Sequence, residues 1–146
     1  MAKEKIIIEG LRYDEERALY NLCGAEVKNC VFAGPADGES ALKECRNIEV
    51  ENCTFSLRYP LWHAESFTVS DCAMDESARA ALWYCKSGVL DDCTLGGIKA
   101  LRECNEIVLN GCKIISPEFG WRCRNILLDG CEAQSEYFMF ESENLT

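Results

Sequence analysis

The feature that most constrains this chain is a repeat of about 19 residues, carried by two columns of cysteine. Its clearest copies read Cys104-Asn-Glu-Ile107-Val-Leu109-Asn-Gly-Cys112-Lys-Ile114 and Cys123-Arg-Asn-Ile126-Leu-Leu128-Asp-Gly-Cys131. The second cysteine of the unit recurs at Cys30, Cys53, Cys72, Cys93, Cys112 and Cys131. The first recurs at Cys45, Cys85, Cys104 and Cys123, with Leu22, Ala64 and Ser142 in its place elsewhere. A unit this short cannot bury an apolar face alone and must stack on its own copies. A fixed period in this range therefore predicts a solenoid.

Within the unit, the positions five and three before the second cysteine are mostly apolar, as in Ile48 and Val50, Phe67 and Val69, or Ile126 and Leu128. Apolar residues two apart predict a short strand with one face buried. The position just before that cysteine holds Asn29, Asn52, Asp71, Asp92, Gly111 and Gly130. These types accept a left-handed backbone, so the column marks a corner, and the small thiol after it points inward. Two interruptions are expected, a Gly/Pro loop over Ala33–Ser40 and a two-residue excess around Asp75–Ala78.

Strands joined by tight corners, with no amphipathic stretch of helical length, predict an all-β chain. The architecture expected is a single-stranded right-handed parallel β-helix forming one domain over residues 1–146, rising about 4.8 Å per coil. A leucine-rich repeat competes, because Leu42-x-x-Cys45-x-x-Ile48-x-Val50-x-x-Cys53-x-Phe55 fits its frame. That fold, however, has a longer usual period and needs a convex-side element that the segment after Cys53 does not encode.

The chain has 146 residues and a formal net charge of −10, from 25 acidic and 15 basic side chains. Such a surface repels nucleic acid and anionic lipid, so neither is expected as a partner. Ile6-Ile7-Ile8 is too short for a membrane span or a signal segment, which makes the cytoplasm the default compartment. Eleven thiols there read as a packed interior in preference to a disulfide framework. Ser142–Thr146 begins another coil without a capping element. The expectation is further coils or an end-to-end homodimer through an open C-terminal coil.

Several segments carry a family likeness: Arg17-Ala18-Leu19-Tyr20-Asn21-Leu22, Ala33-Gly34-Pro35-Ala36-Asp37-Gly38, Tyr59-Pro60-Leu61-Trp62-His63, Arg79-Ala80-Ala81-Leu82-Trp83-Tyr84-Cys85 and Ser116-Pro117-Glu118-Phe119-Gly120-Trp121. With them the chain resembles the bacterial domain-of-unknown-function family three-seven-three-seven over essentially its whole length, as an N-terminal part. The resemblance implies a pectin-lyase-like β-helix. It implies no activity, ligand or catalytic residue.

Two columns are candidates for function. Two residues before the first cysteine column stand Tyr20, Lys43, Trp62, Trp83, Arg102, Trp121 and Phe140, and the next position holds Asn21, Glu44, His63, Tyr84, Glu103, Arg122 and Glu141. If the preceding leucines point inward, alternation turns the aromatic column outward; a shift of one residue exposes the second column instead. A stripe of Tyr20, Lys43, Trp62, Trp83, Tyr84, Arg102 and Trp121 suits a carbohydrate-like ligand, whose sugars offer apolar faces and hydroxyl edges. The bland reading is a structural stripe of rings stacked on Lys and Arg stems.

For catalysis, Arg58, Arg79, His63 and Glu44 are weak candidates for a polysaccharide lyase or a glycoside hydrolase, with Asp37, Glu39 and Glu103 on related edges. Calcium enters only for a lyase, and otherwise no cofactor is expected. Inward thiols alternating with Ile and Val do not converge on a metal. The third class of function is an acidic interaction scaffold.

Overall fold

The structure is a computed structural model that describes residues 6–13, 18–33 and 41–146; for Tyr137, Met139 and Phe140 it describes the backbone alone. Every regular element among the described residues is a strand. The strands form parallel sheets of eight, seven and five members. One coil shows the path: Arg46–Glu51 lies in the eight-stranded sheet, Thr54–Ser56 in the seven-stranded sheet and Leu61–Trp62 in the five-stranded sheet. Glu65–Ser70 then pairs back on Arg46–Glu51. The chain is a parallel β-solenoid of about 7 turns with ~19 residues per turn. No described helix occupies a convex side, which removes the leucine-rich repeat.

Register follows the cysteine alignment. Arg46 pairs with Glu65 and Lys86 with Asn105, each one 19-residue step. Glu65 pairs with Lys86, a step two residues longer, and the excess falls around Asp75–Ala78 as the sequence predicts. The other expected interruption lies largely in 34–40, outside the described residues, together with Asp37 and Glu39.

The core is a set of inward columns. Val27, Val50, Val69, Leu90 and Leu109 form one, and Phe32, Phe55, Met74, Leu95 and Ile114 another, all buried. Phe32 and Phe55 stack with centroids 4.8 Å apart. A third column runs Ala25, Ile48, Phe67, Gly88, Ile107, Ile126. There the large ring of Phe67 fills the room left by Gly88, since a Cβ on Gly88 would lie 2.2 Å from the ring.

The corner column behaves as its composition implies. Asn29, Asn52, Asp71 and Asp92 have φ of 52°, 52°, 51° and 53°, and Gly111 and Gly130 have 61° and 63°. Side chains there also tie coils together, as where Asn52 Nδ2 donates to Asn29 Oδ1 at 2.6 Å. The thiol that follows has a definite task. Cys53 Sγ accepts from the Cys30 N–H at 3.4 Å, and Cys72 Sγ accepts from the Cys53 N–H at 3.4 Å. As a donor, Cys93 Sγ reaches Val69 O at 3.3 Å and Cys112 Sγ reaches Leu90 O at 3.4 Å, one coil back. In the first column Cys85 and Cys104 donate to Leu61 O and Leu82 O at 2.9 and 3.0 Å. Ser142 takes over with its hydroxyl, accepting from the Cys123 N–H at 3.1 Å. Cysteine is thus an apolar filler that also serves backbone groups stranded at a bend.

All described thiols are free. Burial holds the Cys45 thiol up at about 11, and a thiol hydrogen bond to Cys53 followed by burial holds Cys72 up at about 12. These sulfurs are protonated and unreactive at neutral pH. At the last described coil, Leu128, Cys131, Ala133, Phe138 and Leu145 line an open depression of about 430 Å³.

Candidate functional site

The wall formed by the five-stranded sheet begins with four short strands, Leu61–Trp62, Leu82–Trp83, Leu101–Arg102 and Glu118–Trp121. Their register places Trp62 beside Trp83, Trp83 beside Arg102, and Arg102 beside Trp121. The leucines are fully buried and the outward partners half-buried, so alternation does turn this column outward.

A second left-handed corner follows directly, with φ of 58° at Glu44, 59° at His63, 55° at Tyr84, 48° at Glu103 and 53° at Arg122. This reversal makes two consecutive residues face out before the chain turns in again at Cys45, Ala64, Cys85, Cys104 and Cys123. The two columns that the sequence treats as exclusive options are therefore both on the surface.

The first column is a continuous stack. The indoles of Trp62 and Trp83 lie 5.0 Å apart and 7° from parallel. Lys43 Nζ sits 4.3 Å from the centre of Trp62. Arg102 Cζ is sandwiched 4.2 Å from Trp83 and 4.8 Å from Trp121. Lys99 Nζ and Arg122 Cζ each lie 4.9 Å from Trp121. An aromatic face is the negative part of its quadrupole and the rim the positive part. Every indole here has a cation against a face, so much of the aromatic face is already covered within the wall. Trp62 Nε1, Trp83 Nε1 and Arg102 Nε are buried and have no hydrogen-bond acceptor among the described residues. Arg102 Nε lies 3.9 Å from Glu103 Oε1, an ion-pair separation too long for a hydrogen bond.

In the second column His63 and Tyr84 stack at 4.9 Å and 17°, and both are exposed. Tyr20 donates its hydroxyl to Glu44 Oε2 at 2.8 Å. Arg122 Nε donates to Glu141 Oε2 at 3.0 Å. Tyr59 completes the cluster, its ring 5.9 Å from Trp62 and 5.3 Å from Trp83 and tilted to both. Neither Tyr59 nor Lys99 was marked by the sequence, because both lie in the segment before the strand, where the repeat carries no fixed residue type. The one available signal was Tyr59-Pro60 directly preceding Leu61-Trp62.

The four catalytic candidates separate into two pairs. Tyr59 N–H donates to Arg79 O at 2.9 Å, which sets Arg58 beside Arg79 on successive coils, both exposed. They lie ahead of strand Leu61–Trp62 and its successor, whereas Glu44 and His63 lie at the corner beyond it. Along that corner the carboxylates Glu44 and Glu103 are separated by His63 and Tyr84. Among the described residues, no three His, Cys, Asp or Glu side chains group as a metal-holding cluster. No helix among them is long and apolar enough to cross a membrane.

Fold and wall together define a parallel β-solenoid with a cation-capped aromatic ladder on one face. The chain belongs to the family described as "Protein of unknown function (DUF3737)", whose model matches residues 6–146. No curated protein matches it.

Proposed function

We propose that this protein binds a carbohydrate-like ligand along the aromatic wall. The observation that carries the reading is the ladder Lys43–Trp62–Trp83–Arg102–Trp121, which gathers all three tryptophans of the chain, half-buried, on one outer face. Indole surface left against water is unfavourable, by roughly 25 cal/mol per Å², and a ligand relieves that cost. Rings already fixed by mutual stacking have little rotamer freedom to lose on binding. The solenoid also repeats the wall about every 4.8 Å, which suits a polymer laid along its axis.

A lyase or hydrolase has less support, because no hydrogen bond or ion pair among the described residues joins Arg58 or Arg79 to His63 or Glu44, which follow at the corner beyond the strand. An acidic scaffold accounts for the net charge of −10 but has no need of the ladder.

The test is tryptophan emission titrated with a panel of neutral and acidic oligosaccharides. At least one gives a saturable change, and Tyr84→Ala, which removes the exposed ring against His63, weakens it about tenfold. No response from any glycan rejects the reading.

A further inference from the structure

Two corners of the coil share a left-handed backbone and differ in what they place there. Before the inner cysteine it falls on Asn29, Asn52, Asp71 and Asp92, with Gly111 and Gly130 completing the column. After the aromatic strands, φ of 48–59° falls on Glu44, His63, Tyr84, Glu103, Arg122 and Glu141, and only Asn21 is of the first kind. A third such position, at the start of the long strand, mixes Gly24, Asn47 and Asn125 with Ser66, Ser87 and Glu106. This backbone is cheap for Gly and Asn and costly for Glu, Tyr or Arg. Coil hydrogen bonds hold the costly corner in place: the N–H groups of Glu44, His63, Tyr84 and Glu103 donate to Trp62 O, Trp83 O, Arg102 O and Trp121 O at 2.8, 2.9, 3.0 and 2.7 Å. Unfavourable backbone that its surroundings enforce gathers where side chains meet ligands.

The side chains in question do not serve the core. His63 and Tyr84 are exposed, Tyr84 by 39%, and they stack on each other. Behind them stand the fixed indoles, Trp62 at 6.0 Å and 24° from His63 and Trp83 at 5.3 Å and 18° from Tyr84. The first column thus supports the second. Glu44 stands on the coil before this pair and Glu103 on the coil after it.

Resting on the carbohydrate reading of the wall, we infer that His63 and Tyr84 are the contact surface for a neutral, hydroxyl-rich glycan, whose hydroxyls Glu44 and Glu103 hold at either end. Exposed aromatic surface takes the apolar side of a sugar. An ionised carboxylate is an acceptor with room for several hydroxyl donors, so Glu44 can keep its bond from Tyr20 and still serve. From Glu44 to Glu103 is three coil steps, about 14 Å, which a short oligosaccharide spans and a single sugar does not. Carboxylates at both ends, in a chain of net charge −10, disfavour an anionic glycan.

The experiment pairs calorimetric titration with urea unfolding of the full chain, using neutral dimers and tetramers and an acidic tetramer from the same oligosaccharide panel. A neutral tetramer binds tightest, and its dimer binds about tenfold more weakly. His63→Asn and Glu103→Asn give the corner a residue that accepts its backbone readily. Each therefore keeps the urea midpoint at or above that of the parent chain while weakening the neutral tetramer about tenfold. Glu106→Asn makes the same charge change at φ 58° on the eight-stranded sheet and leaves binding unchanged. Unchanged affinity in His63→Asn and Glu103→Asn, or an acidic tetramer that binds tightest, overturns the inference and leaves the glycan reading intact. A lowered midpoint in both variants assigns the column to stability and also overturns it. Binding of no probe overturns both.

Discussion

Gly88 and Phe67 face each other in one inward column, and Gly88→Ala is the sharpest probe of coil register. The new Cβ would stand 2.2, 2.4 and 2.8 Å from Cζ, Cε2 and Cε1 of Phe67, a ring 3% exposed. Overpacking of a closed core costs about 1–3 kcal/mol. Against this, replacing glycine restricts the unfolded chain and returns about 0.4–1 kcal/mol. The net expectation is a loss of about 1–2 kcal/mol, although alanine is ordinarily the better strand residue.

With Phe67→Leu the obstruction shortens, so Gly88→Ala in that background becomes neutral or stabilising. The coupling in the double-mutant cycle is then about 2 kcal/mol. Urea unfolding with an unchanged m value reads each step, and the single change lowers the midpoint by roughly 0.5–1 M. A raised midpoint for Gly88→Ala alone, or strict additivity of the two changes, refutes the register.

Other outcomes follow from the same contacts. The folded Cys45 thiol is raised from 9.0 to about 11, so its protonated form is favoured by the fold. Its contribution, about 3 kcal/mol, is complete below about pH 9 and is lost as pH rises toward 11. Thermal melts should fall steeply across that interval, and Cys45→Ala should flatten the fall. Arg102→Met keeps the stem but removes the charge between Trp83 and Trp121, and should cost about 1 kcal/mol in the same urea assay. At the corner with φ 52°, Asn52→Gly should be tolerated within a few tenths of a kcal/mol beyond its lost bond to Asn29. Asn52→Val should cost about 1–2 kcal/mol more than Asn52→Gly.

The sequence carried the coil because the requirements at its corners are chemical. Asn and Asp accept φ near 52° at lower cost than most residue types, and Asn29, Asn52, Asp71 and Asp92 stand at that corner. Only a small apolar group with a weak donor suits the site after them, hence the cysteines. The second corner was not legible, since Glu44, His63, Tyr84, Glu103 and Arg122 are not residues that advertise a left-handed backbone. Strand alternation alone therefore made the two outward columns look mutually exclusive. The covering of the indole faces was also hidden, because it depends on which residue follows which from coil to coil and not on any single unit. Tyr59 and Lys99 reach the wall from the aperiodic segment, where spacing holds no information.

The most direct test of the account is the indole N–H spectrum of ¹⁵N-labelled protein, followed while a binding oligosaccharide is added. The account predicts that the Trp62 and Trp83 signals move together with backbone amides of residues 58–63 and 79–84, while those of Arg46–Glu51 stay in place. Static indole signals at saturation, or changes confined to the eight- and seven-stranded sheets, would contradict it.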